Sequence, residues 1–151
     1  MTERELAWAA GLFEGEGSIR INKPGRRNWG HLVASVVNTD RQVIDFFQAR
    51  WPGYCKSATG LRPDQRPAWV WVIAARQAAA FLEAIRPHVV CDRVKRKLEH
   101  GLTFQAQKRV GGNYSEEYRA DQWNAYWWMA ELNVRGRHMP ITCPDSAAHR
   151  R

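Results

Sequence analysis

The sequence predicts an α+β fold in the order αββαββα, with an antiparallel sheet covered by helices on one face and with further helices at the C-terminal end. Two observations carry this. Segments of helical period alternate with pairs of strand-like segments, twice in succession. The strands of each pair are joined by a short turn or a polar loop, which favours antiparallel pairing, and an antiparallel sheet can leave one face open. The length of 151 residues fits one domain. It is expected over residues 1–136, with residues 137–151 as a loose tail containing Pro and Arg.

Residues 3–15 read as a helix. Thr2 stands at the N-cap with Glu5 three residues on, the spacing of a capping box, and apolar and small residues run from Leu6 to Phe13 before Gly17 ends the segment. Ser18 to Lys23 alternates polar and apolar residues, the period of a half-buried strand. Pro24-Gly25 marks a turn, and His31 to Asn38, rich in β-branched residues, is the second strand. Thr39 or Asp40 can cap a second helix, in which Val43, Phe46 and Phe47 fall at i, i+3, i+4. Trp51-Pro52-Gly53 stops it. Tyr54 to Gly60 and Ala68 to Ala74 form a second strand pair across residues 61–67; both faces of Trp69-Val70-Trp71-Val72 are apolar, so part of that strand is expected to be covered on both sides. A third helix spans Arg76 to Ile85, a basic one Arg93 to Lys108, and a Trp-rich one Ser115 to Asn133, where Trp127 and Trp128 are expected in the core.

Lys and Arg total 23 against 15 Asp and Glu, a formal charge of +8 at pH 7. Such a balance suits a phosphate-rich partner, nucleic acid first, or serves solubility alone. Cys55, Cys91 and Cys143 are odd in number, far apart and without a CxxC pair, which argues against a disulfide framework and a structural zinc site and suits a reducing compartment. No run approaches the roughly 18 apolar residues of a membrane span, and the N-terminus carries acids rather than the basic start of a secretory signal. An intracellular, soluble protein with no membrane and no small-molecule cofactor is expected.

The first helix is the most informative segment. Ala7, Gly11 and Gly15 recur at i, i+4, i+8 and share one face. A glycine inside a helix costs about 1 kcal/mol relative to alanine, so two on one stripe need a reason. Small stripes let two backbones approach closely, and the same helix of a second subunit would fit. Ala7, Gly11 and Gly15, with Ala10 and Glu14, form the expected homodimer interface. Glu14 and Glu16 stand at the negative end of the helix dipole, an unfavourable place for carboxylates. A divalent cation shared between two subunits would resolve it, since Mg²⁺ takes one or two carboxylates plus phosphate oxygens. The alternative is a plain amphipathic helix with a Gly-rich end.

Ala9-Ala10-Gly11-Leu12-Phe13-Glu14-Gly15-Glu16-Gly17-Ser18-Ile19 resembles the motif of the LAGLIDADG homing endonucleases, with Glu at both acidic positions and Gly15 where the motif has its middle alanine. Glu131-Leu132-Asn133-Val134-Arg135-Gly136 is similar to the LN-x-RG ending of single-motif members, and the likeness runs over roughly residues 3–135. One motif copy implies a homodimer. The resemblance implies a metal-dependent endonuclease (Mg²⁺ or Mn²⁺) that makes double-strand cuts at a long pseudo-palindromic DNA site. Glu16 takes the metal-ligand position and Glu14 a helix-end capping position. Asn38, in Val36-Val37-Asn38-Thr39-Asp40, matches the polar residue at the end of the second strand, or is simply a turn or N-cap residue. The family's lysine after a Pro-aromatic-aliphatic run is by count Asp92, so Arg93 or Lys95 would have to supply that cation.

The resemblance also lays both hairpins in the major groove, which admits a two-stranded ribbon and presents a distinct pattern for each base pair. Ser18, Arg20 and Asn22 would share the reading face of the first strand, with Ile19 and Ile21 turned inward. Lys23, Arg26, Arg27 and Asn28 lie toward the hairpin tip, and His31, Val33 and Ser35 continue the surface. Lys56, Arg62, Gln65 and Arg66, with Asp64, belong to the second hairpin. Lys95, Arg96, Lys97, Lys108 and Arg109 would meet phosphates or solvate their helices. Two other readings stay open: a catalytically weak or inactive DNA- or RNA-binding relative such as an intron maturase, favoured by Asp92 and by Glu in place of Asp, and a purely structural homodimer. A glycosidase using Glu14 and Glu16 is excluded, because residues i and i+2 of a helix diverge.

Overall fold

The structure, a computed structural model, describes residues 1–25, 29–58, 66–108 and 115–134. Helix α1 (Glu3–Glu16) leads into strand β1 (Gly17–Ile21) and strand β2 (Leu32–Asn38). Helix α2 (Arg41–Arg50), strands β3 (Tyr54–Ser57) and β4 (Trp69–Ala74) and helix α3 (Ala75–Ile85) repeat the pattern. A short 3-10 turn over Arg86–His88, helix α4 (Asp92–Ala106) and helix α5 (Glu116–Asn133) complete it. The Thr2–Glu5 capping box is present, with both reciprocal bonds made. Asp40, not Thr39, caps α2, accepting from the Gln42 N–H at 2.9 Å.

The sheet is four-stranded and fully antiparallel in the order β1-β2-β4-β3. Each hairpin thus contributes one central and one edge strand, and β2 and β4 join the halves. Ile19, Ile21, Leu32, Ala34, Val36, Trp71 and Ile73 fill one face and pack with Phe13, Ile44, Phe47, Phe81, Leu82 and Leu98 from the helices. Trp71 sits at the centre: its ring lies 5.0 Å from Phe47 and 5.2 Å from Phe81, and its indole N–H donates to the Trp51 carbonyl at 3.0 Å. Asn133 donates to the Ile19 carbonyl at 2.9 Å, so the end of α5 satisfies an acceptor of the edge strand β1.

Gly17 makes the sharp passage from α1 to β1 possible. Its backbone is ordinary and extended (φ −86°), so its need is for space: a Cβ there would lie 2.4 Å from the Phe13 carbonyl oxygen. Trp127 departs from the expected core position. It is exposed, stacked over Trp123 at 6.5 Å, because the buried stripe of α5 runs through Tyr118, Gln122 and Met129 instead. Among the described residues, no helix is long and apolar enough to cross a membrane. The tail expected over residues 137–151 lies outside the described residues.

Candidate nucleic-acid interface and metal-binding edge

The face of the sheet turned away from the helices is assembled by register. Ser18 stands across from Ser35, Ser35 from Val72 and Val72 from Tyr54. Arg20 stands across from Val33, and Val37 from Val70 and then Lys56. Ser18, Arg20, Lys23 and Lys56 are exposed on or beside this face. Arg66 is exposed ahead of β4. Asn22 and His31 are half-buried partners at its outer end, Asn22 Nδ2 donating to His31 Nε2 at 2.9 Å while Arg20 Nε donates to Asn22 Oδ1 at 3.4 Å. Arg26, Arg27, Asn28, Arg62, Asp64 and Gln65 lie outside the described residues.

Two of the expected reading residues differ. Val33 and Ser35 hold the right face but are only 2% and 6% exposed. The reason is β2's central position: short side chains there lie between two flanking strands, whereas β1 and β3 carry the long polar side chains at the edges. Conversely, Tyr54 and Val37, which were not singled out from sequence, are exposed. The two-residue period already pointed to both, since Tyr54 precedes Lys56 by two and Val37 follows Ser35 by two.

The outer end also holds aromatic–cation contacts, Lys23 over Trp123 at 5.8 Å and Arg119 over Trp29 at 5.7 Å. Lys108 donates its ammonium to the Gly30 carbonyl; burial pushes its pKa down. Burial, with Lys108 and Arg20 nearby, also holds the His31 imidazole below its usual 6.5 against the opposing effect of the Trp29 carbonyl. His100, bonded through Nε2 to the Ala125 carbonyl at 2.8 Å, is lowered by burial as well. Both rings therefore bind protons less readily folded than unfolded. Their contribution is fully present above the ordinary value of 6.5 and is lost as the pH falls from there through the folded values. The melting temperature is expected to decline on acidification across that window; a flat profile there would remove both histidines from the account. A separate loss is expected between pH 4.5 and about 2, where the Arg50 guanidinium and the Thr2 backbone hold Glu5 ionised.

On the exposed side of α1, Ala7, Gly11 and Gly15 lie open, and a Cβ at either glycine would meet nothing within 4 Å. Trp8 is exposed beside them. Ala10 corrects the expected interface: it is fully buried in the core, because it lies on the Phe13 side of the helix, away from the stripe.

The two acids at the end of α1 have separate situations. Glu14 Oε1 accepts from the Val90 N–H at 2.7 Å and the Cys91 N–H at 2.5 Å. Cys91 makes no side-chain cap, so Glu14 serves the positive end of α4 from a distant part of the chain. Glu14→Ala is expected to lower stability by about 1 kcal/mol, read as the urea midpoint, with Glu14→Gln losing less because an acceptor oxygen remains. Glu16 is exposed and has no ion pair or side-chain hydrogen bond among the described residues. Gly17 faces Val36, so Glu16 and the end of β2 share one edge of the sheet. Asn38 is at that edge, half-buried, its Oδ1 accepting from the Asp40 N–H at 2.8 Å, which makes it a turn residue; among the described residues its side-chain N–H groups have no acceptor. Arg93 and Lys95 are exposed in the first turn of α4, which Glu14 ties to this end of α1. Lys95 lies 4.0 Å from Asp92.

No three His, Cys, Asp or Glu side chains gather in one place among the described residues. A single unpartnered carboxylate fits a hard cation completed by other oxygens, such as those of a phosphate or a second Glu16. It does not fit a closed metal cage within one chain.

The amino-acid sequence matches no family model and no curated protein. Solved structures do match. The homing endonuclease I-CvuI, in complex with the I-CreI target in 2 mM Mg with the DNA not cleaved, aligns at a TM-score of 0.70 and 13% identity over 95% of this chain and 90% of that one. The archaeal intron-encoded homing endonuclease I-Vdi141I, complexed with DNA, aligns at 0.66 and 14% identity over 89% and 87%. The LAGLIDADG homing endonuclease I-GzeII, in complex with its DNA target, aligns at 0.63 and 10% identity over 92% of this chain and 51% of that one. Helix order, antiparallel sheet and the Gly-rich end of α1 thus converge: the chain has the fold of the LAGLIDADG homing endonucleases.

Proposed function

We propose that this protein is a sequence-specific homing endonuclease that works as a homodimer and makes divalent-metal-dependent double-strand cuts in DNA. The observation that carries the reading is the end of α1, where an open small-residue stripe terminates in an exposed Glu16, without an ion pair among the described residues, at the edge of the sheet face turned away from the helices. Two chains packed through Ala7, Gly11 and Gly15 bring their Glu16 carboxylates together and set two sheet faces side by side, which suits a long pseudo-palindromic site. Residues 1–136 act as the one domain, in an intracellular setting.

Each residue has a distinct task. Glu16 would hold Mg²⁺ or Mn²⁺ beside the scissile phosphate, and a cation bound there would supply charge neutralisation. Asn38 donates from its amide toward that edge, and Arg93 and Lys95 offer positive charge to the phosphate. Ser18, Arg20, Asn22, His31 and Lys56 meet base edges and backbone in the groove. The lysines and arginines make affinity fall steeply with salt.

The test is cleavage and binding of a randomised duplex library with Mg²⁺ or Mn²⁺. Defined double-strand cuts with two-fold related half-sites are the expected outcome. A specific duplex enriched by binding but never cut would place the protein with the non-cleaving relatives, for which Asp92 at the start of α4 is the structural reason. No enriched duplex at all would sink the DNA-binding reading.

A further inference from the structure

The face of the sheet turned away from the helices is charged and polar along its edge strands and apolar along its middle. Val37 on β2 and Val70 on β4 stand directly across from each other, with Val72 two residues along the same face. Directly opposed residues of an antiparallel pair have Cβ atoms about 5 Å apart, so Val37 and Val70 make one pad. Val37 is 43% exposed, while Val70 and Val72 are half-buried. Among the described residues nothing closes over Val37, and the cation of Lys56 and the hydroxyls of Ser18 and Tyr54 flank the pad on the neighbouring strands. The register places it at the Glu16 end of the sheet, since Val36 faces Gly17.

We propose that Val37 and Val70 form an apolar pad that selects thymine, through its 5-methyl group, at the base pairs nearest the cut. The inference rests on the sheet face being a DNA-reading surface. In the major groove the thymine methyl is the apolar feature among donors and acceptors, and an aliphatic side chain meets it without hydrogen bonding. A valine pad gives no partner to the amino group of cytosine or adenine, so at these positions methyl contact is the source of preference. The flanking cations supply the complement to the phosphates on either side.

The experiment uses duplexes selected by binding to the full-length protein in Ca²⁺. Each thymine of the inner half-site is replaced singly by deoxyuridine, which removes the methyl and leaves pairing intact. Affinity is then measured for wild type and for the Val37→Ala/Val70→Ala variant. At one or two inner positions the wild type is expected to bind about fourfold more weakly per methyl removed, the factor that burial of one methyl group corresponds to. In the double variant that penalty should disappear, because the side chains that sense the methyl are gone. Selected sites without inner thymines, deoxyuridine substitution without effect, or a penalty that persists in the variant would each overturn the pad. Failure to select any duplex is a different result: it removes the DNA-reading face itself, and the pad with it.

Discussion

Glu16→Gln is expected to abolish cutting while leaving DNA binding in place. The substitution keeps the side chain's shape and one amide oxygen but removes the negative charge that a hard cation requires. Loss of an outer partner of a metal site already costs about 10- to 100-fold, so loss of the ligand itself should lower the cleavage rate on the order of 10²-fold or more. Binding should hold or tighten slightly, since a negative charge is lost from the edge proposed to meet phosphate. Folding should not change, because Glu16 is exposed and has no intrachain ion pair among the described residues. Single-turnover cleavage of the selected duplex, beside affinity in Ca²⁺ and a melting curve, separates the three effects. A variant that cuts at the wild-type rate would show that Glu16 is not the metal ligand. A variant that binds poorly would point instead to a role in assembling the groove.

Trp71→Ala should have the largest effect on stability. The side chain is fully buried, touches Phe47 and Phe81, and has its N–H satisfied by Trp51. Truncating a buried Trp costs about 3–5 kcal/mol, partly as lost transfer energy and partly as the cavity left behind. Domains of this size hold only about 5–15 kcal/mol in total. The melting temperature should therefore fall on the order of 10 °C or more, at about 2–4 °C per kcal/mol for this length. The loss reaches the opposite face too: Trp71 lies between Val70 and Val72 on β4, so a loosened strand should weaken DNA affinity even at temperatures where the chain is folded. Trp71→Phe, which keeps the ring packing but leaves the Trp51 carbonyl unpaired, should lose clearly less. Equal losses for the two variants would mean that the hydrogen bond, rather than the ring volume, holds β4.

Much of this fold was legible in the sequence because its signals are local. The Thr2–Glu5 box, the alternation through Ile19 and Ile21, the Val43/Phe46/Phe47 spacing and the short turns each act within a few residues, and the helices and strands β1, β2 and β4 lie within a residue or two of their expected places, while β3 ends at Ser57, short of the expected Gly60. What lay beyond reach was long-range. The pairing of β2 with β4 sets Val33 and Ser35 in the crowded middle of the sheet, and no periodicity distinguishes a central strand from an edge strand. The same is true of Ala10, which shares the small size of the stripe residues but faces the core. Trp127 misled in the other direction, since a large aromatic on a helix reads as core until the helix is rotated against its neighbours.

By itself the sequence determined the elements, the open side of the sheet, the one motif and its acids, and the excess of positive charge. Only the tertiary structure decided that Glu14 is engaged by the backbone ahead of α4 while Glu16 has no ion pair among the described residues, and that Val37 meets Val70 near the same edge. The physical reason is range. Helix capping and strand alternation are fixed by neighbours along the chain, whereas the partner of a carboxylate or a valine is set by which distant backbone the packed core brings alongside it.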